Sequence, residues 1–233
     1  LSATVNTTEP TNQDVVVTLK ASDDVEISKV FDANGESISL TKVSNEYTGT
    51  ISESVNGTFT YKAVDTAGNE TTCTVKITNI DKSNPVIDSI GRSTTVPVNT
   101  QVVITINAHD VGLGLADKPY NFDGTGWVSD KTKVITANGN YRISVKDVAG
   151  NITTQTYNVM NLDFDAPKVN GVSLSTTSPT NKDVVLTIDA EDVGLGLADK
   201  PYRLKNGTWQ TSPKFTVSQN GTYTYEIIDK AGN

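Results

Sequence analysis

One module is written three times along this chain, and that repetition limits its fold more than any other feature. Asp-x-Ala-Gly-Asn recurs in "VDTAGN" (64–69), "KDVAGN" (146–151) and "IDKAGN" (228–233), so Asp65, Asp147 and Asp229 stand 82 residues apart. "NGTF" (56–59), "NGNY" (138–141) and "NGTY" (220–223) keep the same step, as do Trp127 and Trp209. The phrase "DVGLGLADKPY" occupies 110–120 and again 192–202. A fixed internal period is the signature of one supersecondary unit used repeatedly. The early part of each unit is marked by "TNQDVVVTL" (11–19), "NTQVVITI" (99–106) and "TNKDVVLTI" (180–188). From Val15 to Val102 the step is 87, so the first unit carries about five extra residues in its middle.

Each unit has the period of strands. Val15, Val17, Leu19 and Ala21 alternate with Val16, Thr18 and Lys20, and Val102–Ala108 and Val184–Ala190 repeat the alternation. Period two places one apolar set on one face of a half-buried strand. The late strand does the same with Phe59, Tyr61 and Ala63; Tyr141, Ile143 and Val145; Tyr223, Tyr225 and Ile227. Asn-Gly before it and Ala-Gly after it supply the positive φ values of tight turns. In the second unit, strands are expected near 86–90, 101–107, 117–122, 126–129, 131–136, 139–147 and 152–161. Seven short strands in about 80 residues predict a two-sheet sandwich of immunoglobulin type. A Tyr at the start of the sixth strand fills the core and can hydrogen-bond the turn behind it. Phe59 lacks the hydroxyl for that bond. The expected fold is all-β: three tandem immunoglobulin-like sandwiches over 1–80, 81–163 and 164–233. The third stops at Asn233 and is expected to lack its last strand, leaving an open sheet edge prone to pairing with another chain.

Composition removes several function classes. The net charge of −8 argues against a nucleic-acid backbone or an anionic membrane surface as partner. No apolar run is long enough for membrane insertion. One histidine and one cysteine, Cys73, exclude a clustered Cys/His zinc site and an intrachain disulfide. The glycines of "DVGLGLADKPY" resemble a phosphate loop, but Asp117 stands where a dinucleotide fingerprint needs glycine, and no Walker Lys-Ser follows. The phrase is expected to be a compact connection between the second and third strands, with Leu113 and Leu115 tucked beneath it. No catalytic constellation emerges, and an enzyme is not expected.

Asp-x-Ala-Gly-Asn closing the last hairpin, "NGTYTY" before it, "PYNFDGTGW" in the middle and an acidic x-Pro linker resemble the bacterial immunoglobulin-like repeats of secreted and surface-anchored proteins, notably of Gram-positive bacteria. The resemblance covers essentially the whole chain, although "KVFDANGESISL" in the first unit lacks the Pro-Tyr and Trp of the others. It implies an extracellular, secreted or cell-wall-attached array serving as stalk or spacer in cell adhesion. Its partners would be other domains of the parent protein, and cell-wall or host glycans or proteins.

Two sets of candidate site residues follow. In this topology the second-to-third strand loop, the last hairpin and the linker share one end. Asp110 and Asp192 come from the loop, Asp147 and Asp229 from the hairpin, and Asp81, Asp163 and Asp165 from the linkers "DKSNP" and "DFDAP". Hard oxygen ligands gathered from several loops are what calcium requires. The competing reading is that these Asp residues only form turns by bonding their own backbone. The second set is aromatic: Tyr120, Trp127, Tyr202 and Trp209 could form a platform for stacking sugars, against the alternative that they pack as core. The linkers are short and carry Pro85 or Pro167, which makes them stiff. The expected function is a non-catalytic spacer array stiffened by calcium, with a carbohydrate- or host-ligand-binding adhesin module as the alternative.

Overall fold

A computed structural model describes residues 1–233. The chain is all-β and contains no helix, so none is long and apolar enough to cross a membrane. The strands form tandem immunoglobulin-like sandwiches.

In the first repeat the strands are β1 (Ser2–Val5), β2 (Val15–Ser22), β3 (Ile27–Phe31), β4 (Ser37–Ile38), β5 (Thr41–Val43), β6 (Glu46–Glu53), β7 (Gly57–Asp65) and β8 (Glu70–Ile77). They make one sheet in the order β1-β2-β6-β5 and another in the order β4-β3-β7-β8. The inward set of β2, Val15, Val17, Leu19 and Ala21, is fully or almost fully buried and packs with Val30, Tyr61, Ala63 and Ile77 of the other sheet. Each of these Val, Leu and Ile side chains contributes about 1.5–3 kcal/mol by leaving water. The edge strand β5 has no counterpart elsewhere and occupies the longer middle of this repeat.

The second repeat holds β9 (Val86–Arg92), β10 (Val102–His109), β11 (Leu115–Phe122), β12 (Trp127–Val128), β13 (Thr132–Ile135), β14 (Gly139–Asp147) and β15 (Ile152–Val159). These are the seven strands expected from its alternation, in the sheets β13-β10-β9 and β12-β11-β14-β15. The third repeat holds β16 (Lys168–Leu174), β17 (Val184–Glu191), β18 (Leu197–Leu204), β19 (Lys214–Val217) and β20 (Tyr225–Asp229), in the sheets β16-β17-β19 and β18-β20. Within residues 1–233 no strand follows β20, so β18-β20 is a two-stranded sheet where the first two repeats place β8 and β15 beside the equivalent strand.

Contacts divide the chain into two compact units. One is Leu1–Ser89 with Asn107–Asp130 and Ile143–Gln155; the other is Ile90–Ile106 with Lys131–Arg142 and Thr156–Asn233. This division runs through the second repeat, whereas the boundaries read from the 82-residue step run between repeats.

Three local devices recur. The ladders β3-β7, β11-β14 and β18-β20 slip at Ile27/Lys29, Leu115/Tyr120 and Leu197/Tyr202. In the second and third repeats the slipped stretch contains Pro119 and Pro201, which have no N–H to give a ladder. Tyr141 and Tyr223 donate their hydroxyls to the carbonyls of Ala137 and Gln219 at 2.6 and 2.7 Å, fastening the turn before the sixth strand. The Ala-Gly-Asn turns put Gly68, Gly150 and Gly232 at φ of +92°, +94° and +95°, a conformation that excludes most side chains.

A three-residue segment closes each of the first two repeats in the same way. Thr11 bridges Ile80 in parallel, with its N–H bonded to the Asn79 carbonyl and its carbonyl accepting from Asp81 N–H, both at 2.9 Å. On the other side the Asn56 side chain imitates a strand: its Nδ2 donates to the Ile80 carbonyl at 2.8 Å and its Oδ1 accepts from Ile80 N–H at 2.9 Å. Val98 and Asn138 hold Leu162 identically.

Candidate functional site

The carboxylates read from the sequence meet in two places. Asp81, Asp110 and Asp147 each offer an oxygen within 4.8 Å of the others, and Asp163, Asp192 and Asp229 do the same 82 residues later. Asp81, Asp147, Asp163 and Asp229 are 5 % exposed or less, and Asp110 and Asp192 are half-buried. The structure does not bring Asp165 into its cluster; its N–H instead donates to Asp163 Oδ1 at 3.2 Å.

Each carboxylate is fixed by backbone donors. Asp81 Oδ2 accepts from Leu113 N–H at 2.7 Å and its Oδ1 from Ser83 N–H at 3.0 Å. Asp110 Oδ2 accepts from both Gly112 and Gly114 N–H at 2.9 Å. Asp147 accepts from Asn151 N–H at 2.7 Å and from its side-chain amide at 2.6 Å. That amide also donates to the Asp81 carbonyl at 2.8 Å, tying the hairpin to the linker. The second cluster repeats the pattern: Asp163 takes Leu195 N–H, Asp192 takes Gly196 N–H, and Asn233 bridges Asp229 and the Asp163 carbonyl.

The two glycines of the repeated phrase now have separate causes. A Cβ on Gly112 would lie 2.0 Å from Asp81 Oδ2, and one on Gly194 would lie 2.1 Å from Asp163 Oδ2. Gly114, with open space, and Gly196, with only Lys230 Nζ at 3.6 Å from a Cβ, are instead required by φ of +90° and +86°. Sequence reasoning reached the turn and missed the close approach, because nothing in "DVGLGL" shows that a linker carboxylate lies against the first glycine. The expected tucking of Leu113 does not occur, since it is 38 % exposed, and Leu115 opens strand β11.

Electrostatically the clusters are unfinished. Asp110 Oδ1 and Asp192 Oδ1 are buried and have no hydrogen-bond partner. Lys82, adjacent to Asp81, is turned onto Asp14. At this spacing two unit charges near a protein surface repel by on the order of 3 kcal/mol, and an orphaned buried oxygen adds about 1–3 kcal/mol. A divalent cation relieves both. The set fits calcium: hard oxygens from several loops, with carboxylates that keep a second lone pair free while accepting N–H bonds.

The first repeat carries the parts of a partial site. Asp23 Oδ1 accepts from Val25 and Glu26 N–H, and Asp65 is bracketed by Asn69. Asn69 holds the Asp65 carboxyl below the usual carboxylate value of 3.8. These acids are not gathered into a third cluster.

The aromatic candidates separate into two environments. Tyr120 and Tyr202 point inward and are buried, leaving no face for stacking. Trp127 and Trp209 are half-buried, and each is covered by a cation: Lys146 Nζ lies 4.6 Å and the Arg203 guanidinium 4.3 Å from the ring centres. His109 pairs with Asp88 at 2.9 Å on the surface. Cys73 is partly buried against the first core, which raises its thiol pKa.

No family model and no curated protein matches the chain. Solved structures similar to it include the fibronectin(III)-like modules of Clostridium thermocellum CbhA, 19 % identical, covering 66 % of this chain and 91 % of that one, with a TM-score of 0.32. Another is SGBP-B of the Bacteroides ovatus mixed-linkage glucan utilization locus, in complex with a mixed-linkage heptasaccharide. It is 14 % identical and covers all of this chain and 66 % of that one, with a TM-score of 0.21.

Proposed function

We propose that this chain is a non-catalytic array of three spacer modules, 1–80, 81–163 and 164–233, from a secreted or cell-surface bacterial protein, in which calcium joins the exit of one repeat to the loops of the next. The single observation that carries this reading is the buried, partnerless Oδ1 of Asp110 and of Asp192, each facing two further carboxylates. Native proteins rarely leave such an atom unpaired without a ligand to complete it. The linkage to repeat order comes from Asp81, which immediately follows the Asn79–Ile80 segment closing the first repeat, while Asp110 and Asp147 follow β10 and end β14 of the second. Asp163, Asp192 and Asp229 stand in the same relation one repeat later. An ion there would hold a short linker in one conformation, which is the property a spacer needs. Its partners on this reading are the neighbouring domains of the parent protein.

Calorimetric titration of calcium into chelator-treated chain tests this. Two ions per chain are expected, with D110N and D192N each removing one and the double variant removing both. Melting curves in calcium should lie above those in chelator, because a ligand that binds only the folded state stabilises it. Superimposable curves and no binding heat would dismiss the proposal. Magnesium, which demands octahedral geometry and sheds water reluctantly, should compete poorly.

A further inference from the structure

Asp81 and Asp163 each belong to two repeats at once. Asp81 ends the segment Asn79-Ile80-Asp81, which closes the first repeat, and Asp163 ends Asn161-Leu162-Asp163, which closes the second. The preceding repeat holds each segment by the same groups. The Asn side chain donates to two loop carbonyls: Asn79 to Thr7 and Glu9, Asn161 to Thr94 and Val96. The aliphatic residue is buried, Ile80 within the first hydrophobic core, and its backbone is paired by Asn56 or Asn138. The Asp N–H is taken by the carbonyl of Thr11 or Val98.

The following repeat grips the remainder of the same residue. The Asp81 carbonyl accepts from Asn151 Nδ2 at 2.8 Å, and its Oδ2 from Leu113 N–H at 2.7 Å. The Asp163 carbonyl accepts from Asn233 Nδ2 at 2.9 Å, and its Oδ2 from Leu195 N–H at 2.7 Å. Only φ and ψ separate the N–H held by one repeat from the carbonyl held by the next. The carboxylates lie directly against the backbone of Gly112 and Gly194. The compact units follow the same pattern. Asn107–Asp130 and Ile143–Gln155 of the second repeat group with Leu1–Ser89 rather than with the remainder of their own repeat. Repeat arrays draw part of their stability from such nearest-neighbour terms.

We propose that Asp81 and Asp163 are relays, through which the loops of one repeat govern whether the segment closing the repeat before it stays in place. Withdrawal of residues 79–81 pulls Asp81 away from Asn151 and Leu113, and loss of those partners frees the segment. The regulating ligand is the ion of the acidic cluster, a step that rests on the calcium reading. Asp81 supplies that ion with a carboxylate oxygen, so an ion that binds only the closed arrangement suppresses opening. Without it, residues 79–81 open as a local unit and lengthen the short linker, which turns a stiff joint into a hinge. Calcium held largely by the second repeat thus orders the first.

Amide hydrogen exchange on the full 233-residue chain reads this at Thr11, Ile80 and Asp81, whose N–H groups are bonded only within the first repeat. In chelator, N151A changes the second repeat, yet it should speed exchange at those amides about tenfold by removing a bond to Asp81. N69A is the matching change in the first repeat itself. It touches no partner of Asp81 and should leave the same amides as they are. Should N151A unfold the second repeat outright, they must still accelerate. In the unsubstituted chain, calcium at about one hundred times its Kd should slow them by about tenfold or more. D110N removes a ligand but no bond to the segment, and should abolish that slowing. Unchanged exchange in N151A overturns the relay. So does calcium that binds with measurable heat yet leaves these amides unmoved, and in that case the calcium reading survives. Where no heat is seen the calcium reading falls, and the chelator comparison alone decides the relay.

Discussion

Replacing Gly112 by alanine places a methyl 2.0 Å from Asp81 Oδ2, with the other Asp81 carboxylate atoms at 2.3 and 2.4 Å. No rotation of a flexible side-chain end relieves this contact, because Asp81 is 5 % exposed and bonded to Leu113 N–H at 2.7 Å. Either the carboxylate leaves its place or the loop does. Leaving Leu113 N–H and a carboxylate oxygen unsatisfied costs about 1–3 kcal/mol, and displacing packed backbone adds a similar amount. We therefore expect G112A to be destabilised by about 3 kcal/mol, a fall in Tm of roughly 12–24 °C for a repeat of this size. D81A removes the carboxylate that the methyl would strike, so the two changes must not add. G112A/D81A should melt close to D81A alone, with a coupling energy of about 3 kcal/mol, the whole cost of G112A. G114A is the control. It faces open space but sits at φ +90°, so its loss of about 1–2 kcal/mol comes from backbone strain and should persist beside D81A. Differential scanning calorimetry of G112A, D81A, G114A, the doubles G112A/D81A and G114A/D81A, and the parent, all in chelator, reads all of this. A G112A chain as stable as the parent, or strict additivity with D81A, would refute the close-approach argument.

Four further outcomes are expected. N56A should lower stability by about 2 kcal/mol through the two unpaired backbone groups of Ile80, measured by urea denaturation. Y141F should lose about 1 kcal/mol by the same assay, for the hydroxyl bond to Ala137. Asp65 has a lowered pKa in the folded chain, so the stability it contributes is present above pH 3.8 and is lost as pH falls through its folded value. N69A should move its NMR titration midpoint back toward 3.8. Tyr61 is shifted the other way, raised first by burial and then by its 2.8 Å bond to Glu53. Its contribution is therefore full below pH 10 and lost as pH rises, and its ultraviolet ionisation signal should appear only with unfolding.

Strand positions were legible because they depend on a local quantity, the alternation of side chains between two environments. β10 shows it most clearly: its inward residues Val102, Ile104 and Ile106 are all 0 % exposed, and the residues between them are not buried. The acids of the candidate site were legible for a related reason. Their 82-residue step fixed which loops carry them, and sandwich topology puts those loops at one end. What stayed hidden depends on contacts between segments distant in sequence. That Gly112 touches Asp81, that Asn151 reaches back 70 residues to the Asp81 carbonyl, and that Asn56 serves as a substitute strand for Ile80 cannot be computed from spacing. Asp165 shows the opposite failure. Its charge and proximity matched the pattern, but its N–H, two residues after Asp163, is used to close a turn.

The tripeptide Asn–aliphatic–Asp ends on the residue that begins the acidic cluster, so one seam serves both as the lock of a finished repeat and as the first ligand of the following one. Three repeats in this chain therefore carry two clusters. Gene duplication or unequal recombination that cuts at the same phase of the 82-residue period would add or delete a repeat together with one complete seam. A protein built this way can gain or lose internal repeats while keeping one complete cluster at each junction between them.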